Sequence, residues 1–228
     1  MNKDEQLFYK GGQIDFQVPN GVDLPIYVIG DSHVRILTEA APNIFKSSQT
    51  DIEEVFESKS AYAVGSDGHD FYLKEALRNI PDNSQALLSF GEIDCRHYLP
   101  KKANEQNTTI EYQVDKMIER YTSNCVRLLK EKFRVMILGA YICPDDHNHE
   151  NKYDDILEAK TLFNKKIEKY CYKHGLLYIP LFKVSLRNGW DMCELEYPNY
   201  FNDTSHLGPC MIPVILNSMV GFKWQKNI

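Results

Sequence analysis

Four short apolar runs, each bounded by a glycine or a proline-bearing break, divide the chain, and long stretches with helical periodicity separate the later ones. The runs are Leu24–Ile29 stopping at Gly30, Ser84–Phe90 stopping at Gly91, Arg134–Ile142 stopping before Cys143-Pro144, and Leu176–Leu181 following Gly175. A strand that is apolar on both faces must be covered on both faces, which is the condition of a central strand in a parallel sheet. The intervening segments can supply that cover. Ile110, Val114, Met117, Ile118, Tyr121, Cys125, Leu128 and Leu129 recur at helical intervals behind Thr108 and Glu111, which have capping-box spacing. Ile156, Ala159, Leu162, Phe163, Ile167, Tyr170 and Cys171 form a second stripe that stops at His174-Gly175, a suitable C-cap. Strands alternating with amphipathic helices are βαβ units, so the chain is expected to form an α/β fold with a parallel sheet.

The rest of the chain is less regular. Val55-Phe56-Glu57 or Ala61–Val64 is expected to add a strand, Phe71–Leu77 a short helix, and Leu7–Val22, with Gly11-Gly12 at its centre, a hairpin extension within residues 1–22. With 228 residues, 43% of them apolar, and no repeat or linker, the chain reads as one domain over 1–228. Its 26 basic and 32 acidic residues give a net charge of −6, and Lys and Arg never gather into a stripe, so nucleic acid is not an expected partner. The longest apolar runs fall far short of the roughly 20 residues that cross a bilayer. The opening MNKDEQLFYKGGQ carries charge and glycine where a secretory signal carries an apolar stretch, so a cytoplasmic protein is expected. The six cysteines, Cys95, Cys125, Cys143, Cys171, Cys193 and Cys210, form no CxxC pair and read as buried thiols of a reducing compartment. The oligomeric state is left open.

In an open parallel sheet, ligands bind beyond the carboxyl ends of the strands, where loops and helix N-termini expose backbone donors. That rule selects Gly30-Asp31-Ser32-His33, the segment 91–97, the segment 143–150 and the region after Leu181. Ser32 stands on a Gly-led turn between a buried strand and a helix. A serine hydroxyl is a weak nucleophile and needs a base, itself oriented by a third group. Asp203 and His206, three positions apart near the C-terminus, can point the same way on a turn and supply both. A glycan on the sequon Asn202-Asp203-Thr204 would obstruct them, which again favours the cytoplasm.

Gly30-Asp31-Ser32 after the first strand, a Gly-led block at Gly91 after a central strand and Asp203-x-x-His206 near the C-terminus, in that order, resemble the SGNH/GDSL hydrolase family. The resemblance implies a three-layer α/β/α sandwich with a central parallel sheet, flavodoxin-like, and metal-free, cofactor-free esterase, lipase or acyltransferase chemistry. Ser32 would be the nucleophile, His206 the general base and then acid, and Asp203 the residue that orients it. It also implies an oxyanion hole built from the nucleophile's N–H, the N–H of a second-block glycine, for which Gly65 is the candidate, and a third-block asparagine. The third block here reads Gly91-Glu92-Ile93-Asp94, so an isoleucine stands where the asparagine would be. Losing one such donor costs ~10²–10³ in rate. Arg96 or a backbone N–H of this loop is expected to substitute, with Asp94 or Glu92 fixing the arginine; otherwise the block binds a sugar or other polar substrate.

The expected function is therefore hydrolysis or transfer of a small O-acyl group, such as an acetyl ester on a carbohydrate, through an acyl-enzyme. The competing reading is a binding module of the same fold that holds a polar or carbohydrate ligand without turnover. Asp145, Asp146, His147, His149 and Glu150 are ligand types that suit zinc or manganese, but no helical i,i+4 pair organises them. They are expected to form a solvated loop beside the site, with no metal.

Overall fold

The structure, a computed structural model, describes residues 15–47, 60–65, 73, 78, 80–183, 208–209 and 211–223. Asp203 and His206 lie outside the described residues, as do Val55–Glu57, Cys193, Cys210 and all of Phe71–Leu77 except Leu73. The strands are β1 (Ile26–Gly30), β2 (Phe45–Ser47), β3 (Gln85–Ser89), β4 (Arg134–Leu138) and β5 (Leu177–Ile179). The helices are α1 (Arg35–Ala40), α2 (Ala61–Val64), α3 (Leu99–Glu105), α4 (Ile110–Arg120), α5 (Arg127–Lys130), α6 (Tyr153–His174) and α7 (Met211–Met219). The five strands are all parallel, in the order β2-β1-β3-β4-β5. This is the flavodoxin-like order, in which the chain reverses its direction of winding between β1 and β3 and a crevice opens beyond their carboxyl ends.

Alternation along the strands explains the three layers. Ile29, Ala86, Leu88, Val135 and Ile137 join one buried cluster with Val114, Met117, Phe163 and Ile167 of α4 and α6. Their neighbours Val28, Leu87, Met136 and Leu138 join a second cluster with Ile36, Leu37, Ile212 and Ile215 of α1 and α7. Each fully buried aliphatic side chain contributes about 1.5–3 kcal/mol, and a two-sided sheet collects that on both faces. The stop at Gly175 is as expected: it takes φ 65° and its N–H closes α6 on the Cys171 carbonyl. Cys95, Cys125, Cys143 and Cys171 are buried free thiols. Among the described residues no helix is long and apolar enough to cross a membrane.

Several local expectations are corrected. Ala61–Val64 is helical rather than extended, because Ser60 accepts the Ala63 N–H at 3.2 Å and the distant Asp94 carboxylate accepts those of Ala61 and Tyr62 at 2.6 and 3.2 Å. The strand beside β1 is instead Phe45–Ser47, in which only Phe45 is buried, so no apolar run announces it. Thr109, not Thr108, caps α4 by accepting the Tyr112 N–H, while Thr108 accepts from the Gln113 side chain. The first helical stripe is also interrupted by a π-turn over Tyr121–Val126, where the Thr122 hydroxyl donates to the Ile118 carbonyl at 2.7 Å. Most of the expected hairpin over Leu7–Val22, with its centre at Gly11-Gly12, lies outside the described residues; residues 15–22 hold a turn closed by the Val22 N–H on the Pro19 carbonyl, and Phe16 and Val18 pack on the α1 and α7 side.

Candidate active site

Ser32 opens a short 3-10 turn, Ser32–Val34, that leads from β1 into α1. The turn is drawn against the neighbouring strand: the Asp31 N–H donates to the Ser89 carbonyl at 3.3 Å, and the Val34 N–H to the Asp31 carbonyl at 3.2 Å. A Cβ on Gly30 would lie 2.6 Å from the Ser89 oxygen, so only glycine lets β1 leave the sheet this close to β3. No side chain caps α1, whose N-cap is Val34. Ser32 is half-buried, at the switch between β1 and β3.

Gly91, at the end of β3, has φ 108°, and a Cβ there would meet the Phe163 ring at 2.6 Å. This bend starts a continuous helical run over 92–105, whose first backbone bond is from the Cys95 N–H to the Gly91 carbonyl. The N–H groups of a helix's first turn point out of its N-terminal end, here toward the exits of the strands.

Beneath this bend lies a buried charge network. Lys160, on the stripe of α6 and fully buried, donates to Glu92 at 3.1 Å, to both Asp146 oxygens at 2.8 and 2.6 Å, and to the Tyr141 carbonyl at 2.6 Å. Arg96 donates twice to Glu92, at 3.0 and 3.2 Å, and once to Asp145 at 3.2 Å. Burial works against the Lys160 charge, but the neighbouring anions Glu92 and Asp146 outweigh it and hold the ammonium protonated. The arrangement ties the exits of β3 and β4 to α6. Sequence reasoning missed Lys160 and treated Asp146 as solvated, although Asp146 is only 1% exposed. The available signal was a lysine four residues after Ile156 and three before Phe163, inside an apolar stripe.

The other predicted residues separate. Glu92, not Asp94, fixes Arg96, and the Arg96 side chain is 9% exposed. Asp94 instead caps α2 through the Ala61 and Tyr62 N–H groups. Gly65 does not present its N–H, which bonds the Ala61 carbonyl at 3.2 Å. Its lack of a side chain admits Arg120, whose carbonyl carbon would stand 2.7 Å from an added Cβ.

Burial raises the Asp94 carboxyl from 3.8 to about 6, against the lowering effect of its hydrogen bonds with Tyr62, Ala61 and Ser60. A raised folded-state value means that this group's contribution to stability is complete below 3.8 and is lost as pH rises through about 6. Asp94→Asn removes that loss. Urea unfolding from pH 4 to 7.5 should show the stability difference between variant and wild type moving in the variant's favour by roughly 2 kcal/mol; parallel profiles would refute the assignment.

Two clusters have metal-ligand types. In the first, Glu92, Cys143 and Asp146, the Lys160 ammonium already serves as the cation for both carboxylates. In the second, His97, His149 and Glu150, the His149 Nδ1 accepts the Asn151 N–H at 3.0 Å, so the neutral ring carries its proton on Nε2, directed at His97 Nδ1 2.7 Å away. A ligating Nε2 would need the proton on Nδ1, facing another donor, so these residues fit a neutral hydrogen-bonded pair better than a metal. Burial, then the Arg96 charge, lowers both histidines below the ordinary 6.5. Their contribution to stability is therefore present above 6.5 and falls away as pH drops. Imidazole NMR titration should place both midpoints below 6.5, and a midpoint above it at either ring would contradict the pairing.

Neither a family model nor a curated protein sequence matches the chain. Solved structures do. BT4096, a gut microbial diltiazem-metabolizing enzyme, superposes with a TM-score of 0.53 at 13% identity, over 85% of this chain and 45% of that one. The lipase/acylhydrolase from Enterococcus faecalis aligns at a TM-score of 0.47 and 15% identity, over 85% and 93% of the two chains. A member of the lipolytic protein G-D-S-L family from Veillonella parvula DSM 2008 gives 0.48 and 15%, over 85% and 94%. At 13% identity the likeness to BT4096 is one of fold, and at that level it agrees with the α/β/α architecture expected from the sequence.

Proposed function

We propose that the chain is a serine-dependent hydrolase or acyltransferase of SGNH/GDSL type, a single unit over 1–228 that acts in the cytoplasm on a small-molecule or carbohydrate O-acyl ester. The observation that carries this reading is the position of Ser32 on a tight turn at the β1/β3 switch, the place where an open parallel sheet binds ligands. The names of the Enterococcus and Veillonella structures agree with it. Ser32 attacks the acyl carbon while His206, oriented by Asp203, takes the hydroxyl proton and then returns it to the leaving alcohol; water or an acceptor alcohol resolves the acyl-enzyme.

With Ile93 unable to donate from its side chain, Gly65 engaged in its helix and Arg96 clamped by carboxylates, the developing oxyanion falls to backbone donors. The Ser32 N–H and the N–H groups at the head of the run 92–105 fill that role, at the positive end of the helix. Gly91 sets the bend that aims them. The same three departures favour a second reading, a binding module without turnover. A fluorophosphonate probe separates the two. A phosphonyl adduct mapped to Ser32 by mass spectrometry is the expected result, and a folded protein that stays unlabelled would favour the binding module.

A further inference from the structure

We propose that the chain also carries an anion-binding site, apart from the strand exits, formed by Tyr62, Lys116 and Arg120 and suited to a phosphate or sulfate group, free or as a monoester. Two cations lie against one ring here: the Lys102 Nζ is 3.6 Å and the Arg120 guanidinium carbon 4.5 Å from the Tyr62 centroid. Lys116 lies over the Tyr112 ring at 4.7 Å and, with Tyr62, Glu119, Arg120, Ser123 and Asn124, lines a cavity of about 450 Å³. That volume accommodates a phosphate ester.

Of the acids of α4, Glu111 and Asp115 turn to Lys166 of α6, at 2.9 and 2.6 Å, whereas Glu119 shares the cavity wall with Lys116 and Arg120. Among the described residues no carboxylate lies within 4.0 Å of Lys102, Lys116 or Arg120, in a chain whose net charge is −6. The ring attracts these cations without cancelling their charge. The Arg120 guanidinium over the Tyr62 ring is a planar fork of N–H donors, a shape suited to two oxygens of one anion. Asn124 donates to the Gly65 carbonyl at 2.5 Å and so fixes the cavity wall, and the Ser123 hydroxyl adds a neutral donor beside Lys116. Glu119 is the single acid among the residues lining the cavity, outnumbered there by Lys116 and Arg120.

The test is titration of inorganic phosphate, and separately sulfate, into the full chain at constant ionic strength, followed by amide NMR. Saturable shifts confined to Tyr62, Lys116, Arg120 and Ser123 are expected, with affinity falling about tenfold in Lys116→Gln and in Arg120→Gln. Tyr62→Leu should weaken binding as well, and Ser32→Ala should leave it unchanged, since the site does not depend on the proposed hydrolase chemistry. Absence of saturation, or saturation unaltered in both cation variants, overturns the proposal. Lys116 is exposed, so its variant remains informative if Arg120→Gln fails to fold.

Discussion

Replacing Lys160 with methionine should destabilise the protein by about 3–5 kcal/mol, because it leaves Glu92 and Asp146 buried without their shared cation. Methionine keeps most of the packing volume, so the loss is electrostatic rather than steric. For a chain of this size it corresponds to a fall in Tm of roughly 6–20 °C. The Tyr141 carbonyl loses its donor at the same time, adding to the cost. A double-mutant cycle with Asp146→Asn supplies the control: the two losses should be far from additive, since the second change removes an anion that the first had stranded. A methionine variant as stable as wild type, or strict additivity, would show that Lys160 does not hold the network together. Arg96 cannot compensate, as its guanidinium is already divided between Glu92 and Asp145.

Ser32→Ala should lower turnover of p-nitrophenyl acetate at least ~10³-fold. If Ser32 served mainly to hold the helix start, its loss would cost about 1 kcal/mol and leave the rate alone. His206→Ala should match the rate loss, and the double variant should be no slower than either single one, because nucleophile and base act as a unit. Equal rates in all three proteins would remove the hydrolytic reading, whereas a loss confined to Ser32→Ala would leave the nucleophile and dismiss its proposed base.

The fold was legible because both strand faces carry apolar residues in period two and the covering helices carry theirs in period 3.6. Residues such as Leu87 and Leu88 announce opposite layers directly. What could not be read depends on partners distant in sequence. Asp94 makes a helix of Ala61–Val64 from 33 positions away, so no local pattern there distinguishes helix from strand. The edge strand Phe45–Ser47 is defined by pairing with β1 rather than by composition. The turn bearing Ser32 was visible in Gly30-Asp31-Ser32, since the glycine is demanded by local geometry. The clamp on Arg96 was not, because choosing between Glu92 and Asp94 requires knowing which way each side chain leaves a bend at φ 108°.

The β4 exit has a further consequence. The carbonyls of Ala140 and Tyr141 bond the side chains of Asn164 and Lys160 rather than a neighbouring strand. Asn164 is in turn held by Tyr178 of β5. The backbone leaving β4 is therefore pinned by buried side chains of α6, so that shifting this exit would mean dismantling part of the core.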